Sequence, residues 1–158
     1  MKMISRALAL ITFAFSANGK NLLTIIPGKR LSEVSIGDSA SKLQKKGFIK
    51  DDTRQSPSTT TYMKKKDLLV RLQDDKAVQI WFEGKNLGEL SLNGKALPAS
   101  DNIDSFKNFF KGCEEYQGSG GQLLYCEKRG IEITSSGMNG SGVKISVIAP
   151  TEVEKIVK

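Results

Sequence analysis

The stretch Val78-Gln79-Ile80-Trp81-Phe82-Glu83 is answered 65 residues later by Val143-Lys144-Ile145-Ser146-Val147. In both, apolar residues hold every second position, the period of a strand with one buried face. Val78, Ile80 and Phe82 share one face, as do Val143, Ile145 and Val147. Trp81 falls on the opposite face with Gln79 and Glu83, where its counterpart is the polar Ser146. Working outward, Gly28-Lys29-Arg30-Leu31 recurs as Gly94-Lys95-Ala96-Leu97, Asp38-Ser39 as Asp104-Ser105, and Lys46-Gly47 as Lys111-Gly112. Tyr62 matches Tyr125, and Leu68 and Val70 match Ile131 and Ile133. An ordered series at nearly constant spacing is the mark of an internal repeat.

Each unit reads alike. A strand opens it, over 22–26 and again over 87–92. A short helix follows, from Asp38 to Lys46 in the first unit and from Ser100 or Asp101 to Lys111 in the second. Asp and Ser are good caps, and Gly47 and Gly112 are good residues just past a helix end. Ile103, Phe106 and Phe110 lie on one helical face, which reads as core. Strands follow over 59–65, 67–73 and 77–83, and over 113–117, 122–128, 130–135 and 143–149. Asp74-Asp75-Lys76 reads as a tight turn, 51–58 as an exposed loop and 136–142 as a Gly-rich hairpin loop. The expected fold is α+β: two tandem repeats, each a short helix packed on an antiparallel sheet. The units span 17–86 and 87–149, with a tail over 150–158.

The first residues read as a secretory signal. Lys2 and Arg6 precede the apolar run 7–15, and Ala14-Phe15-Ser16 places cleavage near Ser16. Nine apolar residues are too few to span a bilayer, which needs about 20. No Cys near the cut offers a lipid anchor. The two cysteines, Cys113 and Cys126, then read as a disulfide in an oxidising compartment. If Ser119-Gly120 centres a two-residue hairpin turn, 113 lies opposite 126. The expected location is the periplasm or the exterior.

The formal charge is +7, and loss of 1–16 leaves +5. This balance favours an acidic protein partner or an anionic surface, and nucleic acid is not expected in that compartment. The chain contains no His, which removes the commonest acid–base group and the Ser-His and Cys-His arrangements. No set of metal ligands or cofactor motif stands out, so neither a metal nor a cofactor is expected. The adjacent carboxylates Asp51-Asp52, Asp74-Asp75 and Glu114-Glu115 point to opposite faces or to solvent. No catalytic residue is named, and an enzyme is not expected. Binding residues are easier to name. Trp81, on the polar face of its strand, is a candidate anchor. Lys64, Lys65 and Lys66, with Lys45 and Lys46 if the helix packs nearby, are candidates for a basic patch.

The stretch 35–48 (SIGDSASKLQKKGF), followed by strands ending in AVQIWF, resembles small exported helix-plus-antiparallel-sheet proteins. These include the outer-membrane assembly lipoproteins of the SmpA type and the tandem β-lactamase inhibitor proteins. The second unit, with its Asn93-Gly94-Lys95-Ala96-Leu97 opening and paired cysteines, also resembles an exported bacterial domain of unassigned function. The resemblance implies a non-enzymatic, protein-binding role. The expected function is a periplasmic inhibitory protein, most concretely an immunity protein neutralising an envelope-acting toxin. The alternative is an envelope structural or assembly factor that binds anionic lipid or cell wall at the membrane surface without spanning it.

Overall fold

The computed structural model describes residues 22–54, 57–118, 121–126, 130–135 and 142–149. The predicted signal segment, most of the loop 136–142 and the tail 150–158 lie outside the described residues. The elements run β1 (Leu23–Ile26), β2 (Arg30–Leu31), β3 (Val34–Ser35), α1 (Ala40–Lys45), β4 (Ile49–Lys50), β5 (Thr60–Lys65), β6 (Leu68–Gln73) and β7 (Lys76–Phe82). A 3₁₀ turn (Leu87–Glu89), β8 (Leu90–Leu92), β9 (Lys95–Ala96) and a second 3₁₀ turn (Ile103–Phe106) follow. The chain then continues through β10 (Glu114–Gly118), β11 (Gly121–Cys126), β12 (Ile131–Ser135) and β13 (Val143–Ile148). The fold is α+β and mostly sheet. A five-stranded sheet has the order β3-β2-β1-β8-β9, and an eight-stranded sheet has the order β10-β11-β12-β13-β7-β6-β5-β4.

The one α-helix among the described residues starts near where the sequence places it, but its cap is Ser39, whose Oγ accepts from the Lys42 amide at 3.3 Å. Asp38, the expected cap, is buried instead. It accepts from the Ser35 amide at 3.1 Å and pairs with the Lys42 and Lys46 ammoniums at 2.6 and 2.8 Å. Burial pushes its carboxyl upward, but the hydrogen bonds from Lys42, Lys46 and Ser35 prevail and hold it below the usual range. Backbone bonds from Gly37 to Ala77 and from Ala77 to Asp38 tie the helix start to β7. Gly47, at φ 85°, ends the helix in the left-handed region.

The second predicted helix is a correction. Only the 3₁₀ turn Ile103–Phe106 forms, with Asn102 Oδ1 accepting from the Asp104 amide at 2.9 Å. Asp, Ser and Asn within this short run favour local bonds over a helix interior. The apolar stripe still reaches the core: Ile103, Phe106 and Phe110 are all buried. The strand expected from 87 likewise begins as a 3₁₀ turn. The loop expected to be exposed over 51–58 starts with a buried residue, Asp51, whose carboxylate pairs with Arg54 and Lys64.

One continuous apolar cluster joins the inner face of the large sheet to the small sheet, α1 and the 3₁₀ turns. Val70, Ile80, Phe82, Ile133, Ile145 and Val147 supply the large-sheet side. Leu31, Val34, Leu43, Leu90 and Phe106 supply the other. Val78 departs from the expected alternation. A register shift between Arg71 and Leu72 pairs Leu72 with Ala77, so buried Ala77 takes the inward place and Val78 is only half-buried.

Strand pairing joins the two halves of the chain in each sheet. β1 runs parallel to β8, with Leu23 opposite Leu90 and Ile25 opposite Leu92. β7 runs antiparallel to β13, with Phe82 opposite Ile145, Trp81 opposite Ser146 and Ile80 opposite Val147. A disulfide joins Cys113 to Cys126 at a Cα–Cα distance of 4.5 Å. It lies one step beyond the Glu114–Tyr125 pair, at the open end of the β10–β11 hairpin. Such a bond is consistent with an oxidising, exported location. Among the described residues no helix is long and apolar enough to cross a membrane.

Two stability outcomes follow. Replacing both Cys113 and Cys126 with Ser should cost about 3 kcal/mol, as expected for a loop of about 15 residues. Tm should fall by roughly 10 °C in a thermal melt without reductant. Asp38→Asn should cost about 1–3 kcal/mol at neutral pH, because it strips a buried carboxylate from two ammoniums. A depressed pKa favours folding above the unfolded value of 3.8. The gap between wild type and variant should therefore close as urea melts are repeated at pH values falling below that value.

Candidate functional site: the outer face of the large sheet

The face of the large sheet turned away from the core is built by register. Directly opposed residues on paired strands project to the same side. Starting from Trp81, the pairs trace one lateral row through all eight strands: Ile49, Lys64, Leu69, Trp81, Ser146, Glu132, Tyr125 and Glu114. One end is apolar and basic; the other is polar and acidic. Trp81 sits at the centre of the row and is half-buried. Its ring lies 6.3 Å from that of Tyr62, which the Arg54 guanidinium approaches at 5.7 Å. Arg54 is fixed in turn by Glu83 at 2.9 Å.

Beside Trp81 the polar side chains are already ordered. The Gln79 amide donates to Glu132 Oε2 and to Ser146 Oγ, both at 3.1 Å. Gln79 and Ser146 are buried. Burial pushes the Glu132 carboxyl above its usual range, against the weaker pull of Ser146, Gln79 and the Arg71 charge. A smaller apolar cluster of Tyr125, Ile148 and Leu123 adjoins these groups on the same face.

The five lysines named from sequence are placed differently from one another. Lys64 lies on the outer face and pairs with Asp51 at 3.2 Å. The Thr53 hydroxyl foremost, then Lys64, hold the Asp51 carboxyl at about 2 despite its burial. Lys65 points to the core side. Its ammonium lies 5.7 Å from the Phe48 ring and donates to Glu33 Oε1 at 2.8 Å and to the Lys46 carbonyl at 2.5 Å. Lys46 turns to Asp38. Lys66, at φ 50°, is exposed in the β5–β6 turn, and Lys45 is exposed on α1. Lys46 and Lys65 are thus brought together, Lys64 is on the far side of the sheet, and three of the five are engaged with carboxylates.

Shallow clefts indent the described surface. One of about 280 Å³ is lined by Glu83, Lys85, Ser100, Asp101 and Lys144 among others. These charged groups are exposed. The Ser100 hydroxyl accepts from the Asn102 amide at 3.1 Å and bonds Ser105 Oγ at 3.0 Å, which is turn chemistry, not activation by a base. Among the described residues no group of three or more Cys, Asp or Glu side chains could hold a metal ion. Gln79, Glu132 and Ser146 were missed as a site from sequence. Their one visible signal was a polar residue opposite a tryptophan on the repeated strand. No family model, curated protein or solved structure was found to match the chain.

Glu132 yields a pH signature. A carboxyl with a raised folded pKa favours folding below its ordinary value of 4.5 and opposes it above. Glu132→Gln keeps an acceptor for Gln79 and removes the buried charge. Tm should rise by on the order of 2–4 °C at pH 7 to 8, and the gain should vanish as melts are carried below pH 4.5.

Proposed function

We propose that this chain is an exported, non-enzymatic protein that binds and neutralises another protein on the outer face of its large sheet. Its most concrete form is an immunity protein acting in the periplasm. The observation that carries this reading is the row centred on Trp81. It is about 34 Å long at roughly 4.8 Å per strand, wide enough for an ordinary protein–protein contact of about 800 Å² on one partner. The exposed large apolar side chains Ile49 (63%) and Tyr116 (42%) stand at the two lateral rims of this face. An aromatic centre with pre-ordered polar neighbours matches the make-up of binding hot spots. The lysines expected to face lipid or cell wall are largely tied to carboxylates, which favours the protein reading over the envelope-factor one.

The same reading includes origin by duplication. The order of the large sheet mirrors about the β7–β13 seam, and so do the registers. Ile80 opposite Val147 answers Phe82 opposite Ile145 under a shift of 65. Leu68 and Val70 then correspond to Ile131 and Ile133, and Met63 and Lys64 to Leu124 and Tyr125. Tyr62 corresponds to Leu123, not to Tyr125 as the sequence match suggested. The inward Leu68, Val70, Ile80 and Phe82 are answered by the apolar Ile131, Ile133, Ile145 and Val147, while outward positions diverge from Trp81 to Ser146 and from Leu69 to Glu132. That asymmetry is what a single, asymmetric partner requires. The resemblance to small exported binding proteins points the same way.

Pull-down from envelope extract with the mature protein tests the reading. One stoichiometric protein should be retained. Its affinity should fall about 30-fold or more with Trp81→Ala, as for a hot-spot truncation, and should be nearly unchanged with Lys65→Glu on the other face. Recovery of lipid or wall fragments alone, released by salt, would overturn it in favour of an envelope factor.

A further inference from the structure

Each sheet ends in two edge strands, and three of these four, β3, β9 and β4, are only two residues long. The fourth, β10, is five residues long, and all five are exposed. Among the described strands its one neighbour is β11. Short edges offer too few backbone groups to template a new strand, and charged side chains, lysine above all, or proline commonly blunt longer ones. β10 reads Glu-Glu-Tyr-Gln-Gly, with no lysine or proline; its charges are both carboxylates, which deter an acidic strand and admit a basic one. The disulfide pins Cys113, the residue just before it, to the adjoining strand, which anchors the start of the edge.

We propose that β10 receives an extended segment of a partner protein as an added antiparallel strand, and that this segment carries basic side chains. The charge at the edge selects the occupant. β10 has two carboxylates and no cation, on a chain whose formal net charge is +7. Glu114 lies on the outer face, where the Tyr116 hydroxyl donates to it. Glu115 lies on the inner side, 2.8 Å from the Lys107 ammonium. In an antiparallel ladder the added residue opposite Tyr116 shares its face with the one opposite Glu114, two positions on. The residue between them meets Glu115. The complementary segment therefore reads apolar, basic, basic along its own direction. Backbone bonds supply affinity, and the carboxylates supply the choice of segment. A second copy of this chain would bring four carboxylates to one edge pair and no cation from either strand.

The proposal extends the outer-face reading to the edge strand at its rim; peptide binding tests the one and the envelope pull-down the other, so the two fail separately. The probe is a synthetic ten-residue peptide containing Val-Lys-Lys within a Thr- and Val-rich strand sequence, read by fluorescence anisotropy against the disulfide-intact mature protein. Binding should weaken about tenfold or more when Glu114 and Glu115 are both changed to Lys, and when Val-Lys-Lys becomes Val-Glu-Glu. It should vanish when alternate peptide amides are N-methylated, which deletes donors and keeps charge. Hydrogen exchange of the β10 amides should slow on peptide addition. Binding indifferent to N-methylation would reduce the effect to charge attraction and overturn strand addition. So would unaltered β10 exchange. Protection of β10 that grows with protein concentration alone would assign the edge to a second copy instead.

Discussion

The pairing of β7 with β13 is the constraint on which the rest of the molecule depends. It joins two four-stranded halves into one sheet, with Trp81 opposite Ser146 at the junction. Side chains alternate across a strand, so a slip of one residue would exchange its faces. Ile145 and Val147 would leave the core, and Ser146 would enter it without Gln79. The apolar cluster forbids this, because Ile80, Ile145 and Val147 have no measurable exposure. The register that fills the core is therefore also the register that aligns the outer row from Ile49 to Glu114. Packing on one face positions recognition on the other.

This coupling explains how the two faces carry different chemistry. Inward positions demand little more than apolar volume, and Leu68, Val70, Ile131 and Ile133 all meet that demand. The rims of the inner face were closed in two different ways. Under the proposed duplication, Phe48 and Lys65 occupy the places of Cys113 and Cys126. One half closes this corner with an ammonium 5.7 Å from an aromatic ring, the other with a covalent bond. The covalent closure falls beside the longer and more exposed edge strand, where a small hairpin has the least core to hold it.

The sequence made the strands legible because Val78–Glu83 and its counterpart alternate cleanly, and because Gly47 and Asp74-Asp75 mark stops and turns that the backbone does adopt. It made the bridge legible because two cysteines follow a signal-like start, and a turn centred on Ser119-Gly120 sets 113 against 126. It misled where a local rule met a tertiary one. Asp38 looks like a cap but is drawn inward by Lys42, Lys46 and the Ser35 amide. Val78 fits the alternation but is displaced by a bulge that periodicity does not reveal. The run from Asn102 to Gly112 has a helical stripe, yet only Ile103–Phe106 forms a 3₁₀ turn, and buried Phe110 packs from the turn residues after it. The polar trio Gln79, Glu132 and Ser146 comes from three strands, so no linear motif could announce it.

Net charge does not by itself locate a binding surface. A formal +7 suggests an acidic partner or an anionic surface, provided that the cations face outward together. Here Lys42 and Lys46 converge on one buried carboxylate, Lys64 and Arg54 on another, and Lys65 on Glu33. These pairs satisfy local burial, and exposed, paired charges are weak at a distance. The acidic residues are fewer but include a set concentrated on one strand edge, where backbone groups can add directional bonds to the charge. A locally negative, hydrogen-bonding edge on a globally positive chain would draw a basic segment at contact range while the bulk of the surface repelled it. Affinity there would rest on strand geometry, and the unlike signs of edge and whole would penalise partners that offer charge without an extended backbone.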